Sequence, residues 1–253
     1  MDELNLTKYS FSKLKNFINC KYAFYRNYFE NDRDTVENGT SEFGSFCHKI
    51  LEMYERGELE DYEMLNYYLQ HYDEEVKSSF VIQLTEKFSK DFSSMYFEDG
   101  KSYFQNFTGF DNIKILESEY EFAENINNKY LLVGKIDLVA EDEEGNLIVI
   151  DHKSKSKFKN KAELAEYAKQ LYIYALAVKN KYGKFPQKLM FNMFRKGNWI
   201  TIDFDMERYE ETLKWVDDIV NEIEICMDFE PNGLGSFYCF NFCPYRYKCE
   251  YNE

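Results

Sequence analysis

The chain has 253 residues, 44% of them hydrophobic and 19% aromatic, so it can form one large domain with a real core and is not expected to be disordered. Its formal net charge of −15, from 31 Lys plus Arg against 46 Asp plus Glu, argues against a broad basic surface for nucleic acid but leaves room for a local groove. No apolar run approaches the roughly 20 residues of a membrane helix. The first residues lack an apolar signal core, so we expect a cytoplasmic protein with no membrane span.

The first half of the chain is predicted to be mainly helical. Apolar residues follow helical spacing after a capping serine over residues 9–29, and a second helix is expected over 43–55. The polar residues 31–42 between them are typical of a loop. Residues 60–106 are charged and aromatic, with no proline and no strand alternation. We therefore predict that 56–112 form a helical insertion.

From about residue 113 the chain alternates or runs apolar, which predicts β-strands. Three strands are expected first, then a helix, two more strands and a closing helix, over residues 113–122, 129–141, 147–152, 162–182, 188–195, 199–204 and 206–227. This order predicts a single α/β domain, 1–253, with a mixed central sheet flanked by helices and a helical subdomain on its N-terminal side.

Three polar side chains near the ends of two predicted strands carry the main functional signal. Asp151 and Lys153 lie two residues apart at the end of an apolar strand, so both side chains leave the same face. The preceding hairpin can bring Asp137 beside Asp151. Two converging carboxylates make a hard oxygen site suited to Mg²⁺ or Mn²⁺. A lysine beside them can orient water or stabilise an anionic transition state, so the pattern predicts metal-dependent phosphodiester hydrolysis.

A D-x-K motif alone is common, but an apolar strand ending in D-x-K after G-x-x-D at hairpin distance is far rarer. Here these motifs read Gly134, Asp137, Asp151 and Lys153. The segment resembles the nuclease core of the RecB-like PD-(D/E)XK family. That resemblance implies a restriction-endonuclease-like core, a DNA substrate and catalytic roles for Asp137, Asp151 and Lys153.

Two further motifs extend the resemblance. Gln170 and Tyr174 match the family's Q-x-x-x-Y on the next predicted helix, four residues apart on one face. The resemblance implies that this pair acts on substrate or catalytic groups beside the metal. His48, preceded by Gly44, matches G-x-x-x-H on an early helix. It is implied as a third metal ligand beside Asp137 and Asp151, a role that neutral imidazole suits.

Two polar residues near this centre are not assigned to it. Glu119, on the strand before Asp137, could join the site, but Glu117 and Glu121 share its face of that strand. His152 lies between the motif residues of D-x-K and should therefore point to the opposite face.

Three cysteines near the end of the chain, Cys239, Cys243 and Cys249, have the spacing C-x3-C-x5-C. In a reducing cytosol, clustered cysteines are more often metal ligands than disulfides. Three thiolates need a fourth partner for zinc or for a cubane cluster, and Cys20 is the natural choice. Cys47 and Cys226 are expected to be core residues.

The cysteine pattern resembles a subset of RecB-like nucleases, the AddB-type and CRISPR-adaptation exonucleases. The resemblance implies a 4Fe–4S cluster that staples Cys20 to residues 237–249. The family spacing is C-x2-C-x5-C, and this chain has one extra residue between the first two cysteines. A shifted ligand set, a zinc site and plain buried thiols therefore remain alternatives to the cluster.

The resemblance predicts an exonuclease that acts on single-stranded DNA or DNA ends, in phage recombination and replication or in CRISPR spacer processing. The chain has no helicase motif of the form G-x-x-x-x-G-K-[ST], so the nuclease would act alone or beside a separate helicase, recombinase or integrase. The alternative is a catalytically idle DNA- or protein-binding scaffold with the same fold. The acidic charge favours that alternative, and the intact Asp–Asp–Lys set opposes it.

Overall fold

The structure is a computed structural model that describes residues 6–85, 87–110, 112–231 and 237–251. Those residues form eight helices, which are α1 (Phe11–Asn19), α2 (Lys21–Tyr28), α3 (Gly39–Glu55), α4 (Asp61–Glu75), α5 (Ser93–Gln105), α6 (Lys161–Tyr182), α7 (Met206–Ile225) and α8 (Phe237–Asn241). They also form eight strands, which are β1 (Lys8–Tyr9), β2 (Val81–Thr85), β3 (Phe88–Asp91), β4 (Ile113–Ile126), β5 (Tyr130–Asp142), β6 (Leu147–His152), β7 (Lys188–Met193) and β8 (Asn198–Asp203).

A mixed six-stranded sheet forms the centre of the α/β fold, as the sequence predicted. β4 pairs antiparallel along the whole of β5, while β1 and β6 pair with the start and the end of β5. β6 and β7 are parallel and are joined through α6, and β8 returns antiparallel to β7. All six residues of β6 are buried, as expected for a strand covered on both faces.

Apolar clusters cover both faces of the sheet. The largest joins the sheet to α1, α6 and α7, and it includes Val149. On the opposite face, strand residues that include Leu138 and Ile150 form a small cluster. A further cluster packs α3, α4 and α5 together and includes Phe194, which follows β7. Because side chains alternate along β6, Asp151 faces the α6 side while His152 faces the α3 side.

The glycine of the G-x-x-D motif has a packing role. Gly134 lies directly opposite Phe122 in the β4–β5 ladder. A Cβ atom at Gly134 would lie 2.6 Å from Phe122 Cζ and 3.4 Å from Tyr174 Cε1. The glycine therefore allows the Phe122 ring to lie across β5, close to the helix that carries Tyr174.

The sequence predicted one continuous helix over residues 9–29, but the structure has two helices there, so the predicted continuity was wrong. Cys20 has extended backbone angles, φ −161° and ψ 109°, which end α1 and begin α2. Its Sγ accepts a hydrogen bond from Ala23 N at 3.4 Å and so caps α2. Apolar spacing continues across this break, which is why periodicity alone did not reveal it.

Two more segments differ from the sequence analysis. The loop expected over residues 31–42 ends early, because Asn38 caps α3 by accepting from Ser41 N at 3.0 Å. Residues 56–112 contain α4 and α5, but also the hairpin of β2 and β3. Nearly every residue of that hairpin is exposed, so neither strand shows the alternation that identifies strands in a sequence.

Among the described residues, every helix is too short or too polar to cross a membrane.

Candidate active site

The ends of β5 and β6 bring the predicted carboxylates together. The ladder between the two strands runs from Glu141 opposite Leu147 to Leu138 opposite Ile150, so Asp137 and Asp151 follow at the same end. The backbone N–H of His152 donates to Asp137 Oδ2 at 2.7 Å. The hairpin geometry thus fixes one carboxylate against the strand that carries the other.

Helix α3 supplies a histidine to the same place. His48 Nδ1 lies 3.7 Å from Asp137 Oδ2. Together with Glu119, these side chains offer three ligand atoms that all lie within 4.8 Å of one another. The closest group is therefore His48, Glu119 and Asp137. Asp151 lies beside this group, with its Oδ2 atom 2.5 Å from Lys153 Nζ.

Glu119 is the residue that sequence reasoning weighed and did not assign. Its φ of 55° is unusual for a residue with a side chain, and it interrupts the regular β4–β5 pairing opposite Asp137. Its carboxylate forms an ion pair with Lys135. Backbone strain of this kind costs about 1–3 kcal/mol and clusters at functional sites. No sequence pattern distinguished Glu119 from its neighbours Glu117 and Glu121.

Lys153 begins a chain of hydrogen bonds that ends on α6. Its Nζ donates to Gln170 Oε1 at 2.9 Å, and Gln170 Nε2 donates to Tyr174 Oη at 2.6 Å. The Lys153 backbone is held as well, because its N–H donates to Asn192 O at 2.8 Å. The Q-x-x-x-Y pair therefore lies beside the D-x-K lysine and restricts where its ammonium group can lie.

Burial controls the charge state of the metal-ligand candidates. Desolvation raises the pKa of Asp137 and of Asp151. The charge of Glu55 raises the pKa of Asp137 further, and the charge of Asp137 does the same for Asp151. Desolvation and the charge of His152 lower the pKa of His48 to about 4. At neutral pH the His48 imidazole is therefore uncharged, with a nitrogen lone pair free to bind a cation.

The donor set fits a divalent metal ion. Asp151 is 1% exposed, and no described residue makes a well-aligned hydrogen bond to its Oδ2 atom, although Lys153 Nζ is close. Buried carboxylates that lack full compensation are costly unless a cation or hydrogen bonds stabilise them. Carboxylate oxygens with one imidazole nitrogen suit Mg²⁺ or Mn²⁺. PD-(D/E)XK nucleases use such divalent metals.

A buried polar network lies on the opposite face of β6. His152 points away from the carboxylates, and its Nε2 lies 2.7 Å from Glu55 Oε1. Asn192 Nδ2 lies 3.0 Å from His152 Nδ1 and donates to Tyr103 Oη at 2.7 Å. Burial alone would lower the pKa of His152, but the Glu55 carboxylate outweighs it and the pKa is raised. Sequence reasoning missed Glu55, although it lies seven residues, or two helical turns, after His48 on the same face of α3.

The cysteines meet where the two ends of the chain pack together. Cys20 packs against a small buried cluster that contains Cys243, Ala23 and Tyr245. Desolvation, with smaller contributions from Cys20, Cys239 and Cys249, raises the pKa of Cys243 to about 11. None of the six cysteines forms a disulfide. Cys47 is fully buried, while Cys226 caps the end of α7.

Hydrogen bonds hold the C-terminal tail against the loop between α2 and α3. Val36 N donates to Pro244 O at 2.9 Å, and Tyr245 Oη donates to Asp32 O at 3.0 Å. Arg246 Nη1 donates to Val36 O at 3.1 Å. The tail is thus fixed beside Cys20 by contacts that do not involve the sulfur atoms.

Comparison with known proteins identifies a family that matches this chain. A model of the PD-(D/E)XK nuclease superfamily matches residues 8–250. A search of curated proteins found no match.

Two solved structures are similar to the chain at low identity. The crystal structure of SSO0001 shares 15% identity over 98% of this chain and 87% of that one, with a TM-score of 0.42. A provisionally named exonuclease from Eubacterium rectale shares 12% identity over 85% of this chain and 79% of that one, with a TM-score of 0.47. At such low scores, neither structure says anything about the activity of this chain. The family match, by contrast, extends from β1 through the catalytic strands to the cysteine tail, and the chain belongs to the PD-(D/E)XK nuclease superfamily.

Proposed function

We propose that this protein is a metal-dependent deoxyribonuclease that hydrolyses phosphodiester bonds at the adjacent ends of β5 and β6. The observation that carries the proposal is the position of Lys153, which lies between the Asp151 carboxylate and Gln170 beside the His48–Asp137 pair. An ordinary surface lysine has no reason to be held by a buried carboxylate and a second hydrogen-bonded side chain. The family implies that the substrate is DNA.

The metal ligands in this proposal are His48, Asp137 and Asp151, with Glu119 as a further ligand. Glu119 is supported by its distance from His48 and Asp137. Asp151 is supported by its buried oxygen atom that lacks a well-aligned hydrogen bond. Mg²⁺ and Mn²⁺ are preferred over Ca²⁺, which favours longer and looser coordination by more oxygen atoms.

The side chains around the metal ligands have distinct roles in this mechanism. A bound divalent ion would polarise a phosphoryl oxygen and make water more acidic. The Lys153 ammonium orients the attacking water and stabilises the negative charge that develops on the phosphoryl oxygens. Gln170 holds the ammonium in place by accepting its hydrogen bond, and Tyr174 fixes the Gln170 amide.

The expected reaction is exonucleolytic, on single-stranded DNA or DNA ends, as in the RecB-like group. Its setting would be phage recombination and replication or CRISPR spacer processing, with a separate helicase, recombinase or integrase as partner.

We treat 1–253 as one nuclease domain with 56–112 as an insertion. This is supported by the network that links Tyr103 of the insertion through Asn192 to His152 beside the site.

A catalytically idle scaffold with the same fold is the competing function, and the net charge of −15 favours it. Burial of Asp137 and Asp151 opposes it, because desolvated carboxylates cost stability and a scaffold gains nothing from them. The Lys153–Gln170–Tyr174 chain would also be unnecessary in a scaffold.

We further propose that Cys20, Cys239, Cys243 and Cys249 bind a 4Fe–4S cluster. The contributions of Cys20, Cys239 and Cys249 to the raised pKa of Cys243 support their proximity to that thiol. A cubane binds each thiolate through a different iron. The resemblance of the cysteine pattern to the iron–sulfur subset favours the cubane over zinc.

Metal binding should raise the thermal stability more at pH 7.5 than at pH 5. The raised pKa values of Asp137 and Asp151 mean that protons compete with the metal above the ordinary carboxylate range of about 4. His48, with a pKa of about 4, stays neutral across this interval and adds no pH dependence. At a Mn²⁺ concentration about 100 times Kd, we expect roughly 5–10 °C of stabilisation near neutral pH, measured by differential scanning fluorimetry.

The control for this experiment is a pair of histidine variants. His48→Ala should lose most of the metal-induced shift, whereas His71→Ala should keep it, since His71 lies on α4 and its Nδ1 contacts Tyr67 O. An unchanged shift in His48→Ala would remove His48 from the ligand set.

Substitution of Lys153 by Met should abolish most nuclease activity without unfolding the protein. Met keeps much of the apolar stem but removes the charge, and loss of such an electrostatic group typically costs at least about a hundredfold in rate. Gln170→Ala should lower the rate while metal affinity stays largely unchanged. Digestion of end-labelled DNA with Mg²⁺, Mn²⁺ or Ca²⁺ measures both effects, and only the first two ions should support cleavage.

Lys188→Met provides the matched control for Lys153→Met. Lys188 begins β7 and contacts Asp142 at 3.9 Å, at the opposite end of the strand from the site. The Lys188→Met protein should cleave DNA as the wild type does. A folded Lys153→Met protein with wild-type activity would show that the catalytic assignment is wrong.

Protein purified without oxygen should be brown and contain close to four irons per chain. Cys20 and Cys249 lie 229 positions apart, so the cluster would close almost the whole chain and restrain the unfolded state. Replacing Cys20, Cys239, Cys243 or Cys249 by Ser should remove iron and lower the melting temperature. Iron analysis and thermal unfolding measure the two outcomes.

Cys226→Ser is the control, because Cys226 is partly exposed and its Sγ donates to Asp228 O at 3.0 Å. It should retain iron. One zinc per chain without iron would refute the cluster and leave the nuclease proposal intact.

A further inference from the structure

The segment from the end of β6 to the first residue of α6, here called the basic loop, is strongly basic in an acidic chain. Residues 153–161 contain five lysines among nine residues and no acidic residue, although the whole chain has a net charge of −15. Three of these lysines, Lys157, Lys159 and Lys161, are exposed. Like charges in a row repel one another, so this arrangement favours binding of an anionic partner over stability of the free protein.

The basic loop adjoins a groove between α1 and the first turns of α6. Lys153 and Gln170 line one part of this groove, while Cys20 and Tyr238 line another. Side chains of α1 and α6, including Lys15, Asn16, Asn19 and Tyr167, form the rest of its wall. The groove therefore runs from the proposed catalytic lysine to the region where the cysteines meet.

Tyr167 joins the loop to the groove. Its ring lies 5.2 Å from the ring of Phe158 and 4.8 Å from Lys155 Nζ, both of which belong to the loop. Tyr238, on the cysteine side, is 43% exposed. Aromatic faces beside cationic side chains are the combination that binds single-stranded nucleic acid, since rings stack on bases and cations contact phosphates.

One carboxylate also lines the groove, and its charge is matched. Glu166 lies 2.6 Å from Lys169 Nζ and 3.6 Å from Lys15 Nζ. Two lysines thus face one glutamate there, and the groove stays compatible with a polyanion.

We propose that this groove and the basic loop bind a single strand of DNA and lead it to Lys153. Lys157, Lys159 and Lys161 contact phosphates, and Tyr167 and Tyr238 stack on bases. A duplex hides its base faces, so these rings favour an unpaired strand. The biological purpose rests on the proposed nuclease function, but binding itself can be measured without cleavage.

The test is fluorescence anisotropy with labelled oligothymidylate in EDTA, over a range of salt concentrations. Changing Lys157, Lys159 and Lys161 together to Gln should weaken binding at least about tenfold at low salt. The slope of log affinity against log salt should fall by about 2, because each phosphate contact on a single strand contributes roughly 0.7. Tyr167→Ala should weaken binding without changing the slope, and Tyr167→Phe should restore it.

The control has the same charge change elsewhere, with Lys90, Lys114 and Lys129 changed to Gln. All three are exposed and lie outside the loop and the groove. This control should bind as the wild type does. Equal losses of affinity in both triple variants would show that only net charge matters and would overturn the proposal. The proposal would also be overturned if the loop variant bound as the wild type does, if a duplex bound more tightly than the single strand, or if the wild type did not bind. If the wild type binds but does not cleave with Mn²⁺, the nuclease proposal fails and the groove proposal stands.

Discussion

The central physical constraint on this structure is the free-energy cost of holding two carboxylates, Asp137 and Asp151, away from water at the ends of buried strands. Each pKa unit by which burial raises a carboxyl group corresponds to about 1.4 kcal/mol against its charged form. The protein offsets this cost with fixed donors, namely the backbone N–H of His152 on Asp137 and the ammonium of Lys153 beside Asp151. A hydrogen bond to a charged group, such as that from His152 N to Asp137, contributes roughly 1.5–3 kcal/mol, so a cation remains the natural further compensation.

The surroundings of the carboxylates hold these donors in position from both faces of the sheet. On one face, Gln170 and Tyr174 restrict Lys153. On the other face, Glu55 anchors the His152 side chain, whose backbone contacts Asp137. α3 contributes His48 to the site and Glu55 to the anchor from a single helical face. The same helix therefore links the metal-ligand candidates to the buried network, and through Tyr103 to the insertion.

The acidic net charge is the main objection to a nucleic-acid enzyme, and the charge distribution answers it. Lysines are concentrated next to the catalytic strand, at residues 153–161, while many acidic residues lie elsewhere on the surface. At the end away from Lys153, the groove beside that loop is lined by Cys20 and Tyr238. In our proposals, the cluster that joins the chain ends also fixes one wall of the DNA path, which would make the cysteines important for substrate binding without a chemical role.

Much of this architecture was predictable from the sequence, because strong local patterns determine it. The buried strand ending at Asp151, the hairpin after Asp137 and the helix bearing Gln170 all follow from apolar runs and motif spacing. The break at Cys20 was not predictable, since apolar spacing continues across it. Glu119 was weighed but not assigned, and Glu55 was missed, because their importance comes from contacts with residues far along the chain, which no local pattern records.

The most direct test of the desolvated carboxylates is the thermal unfolding of Asp137→Asn with and without metal. The amide oxygen of Asn can still accept the hydrogen bond from His152 N, so the substitution removes mainly a buried charge. In EDTA the variant should unfold at the same temperature as the wild type or higher. In Mn²⁺ only the wild type should gain stability. A variant that is less stable than the wild type in EDTA, yet gains as much from Mn²⁺, would show that Asp137 is a structural residue and not part of a metal site.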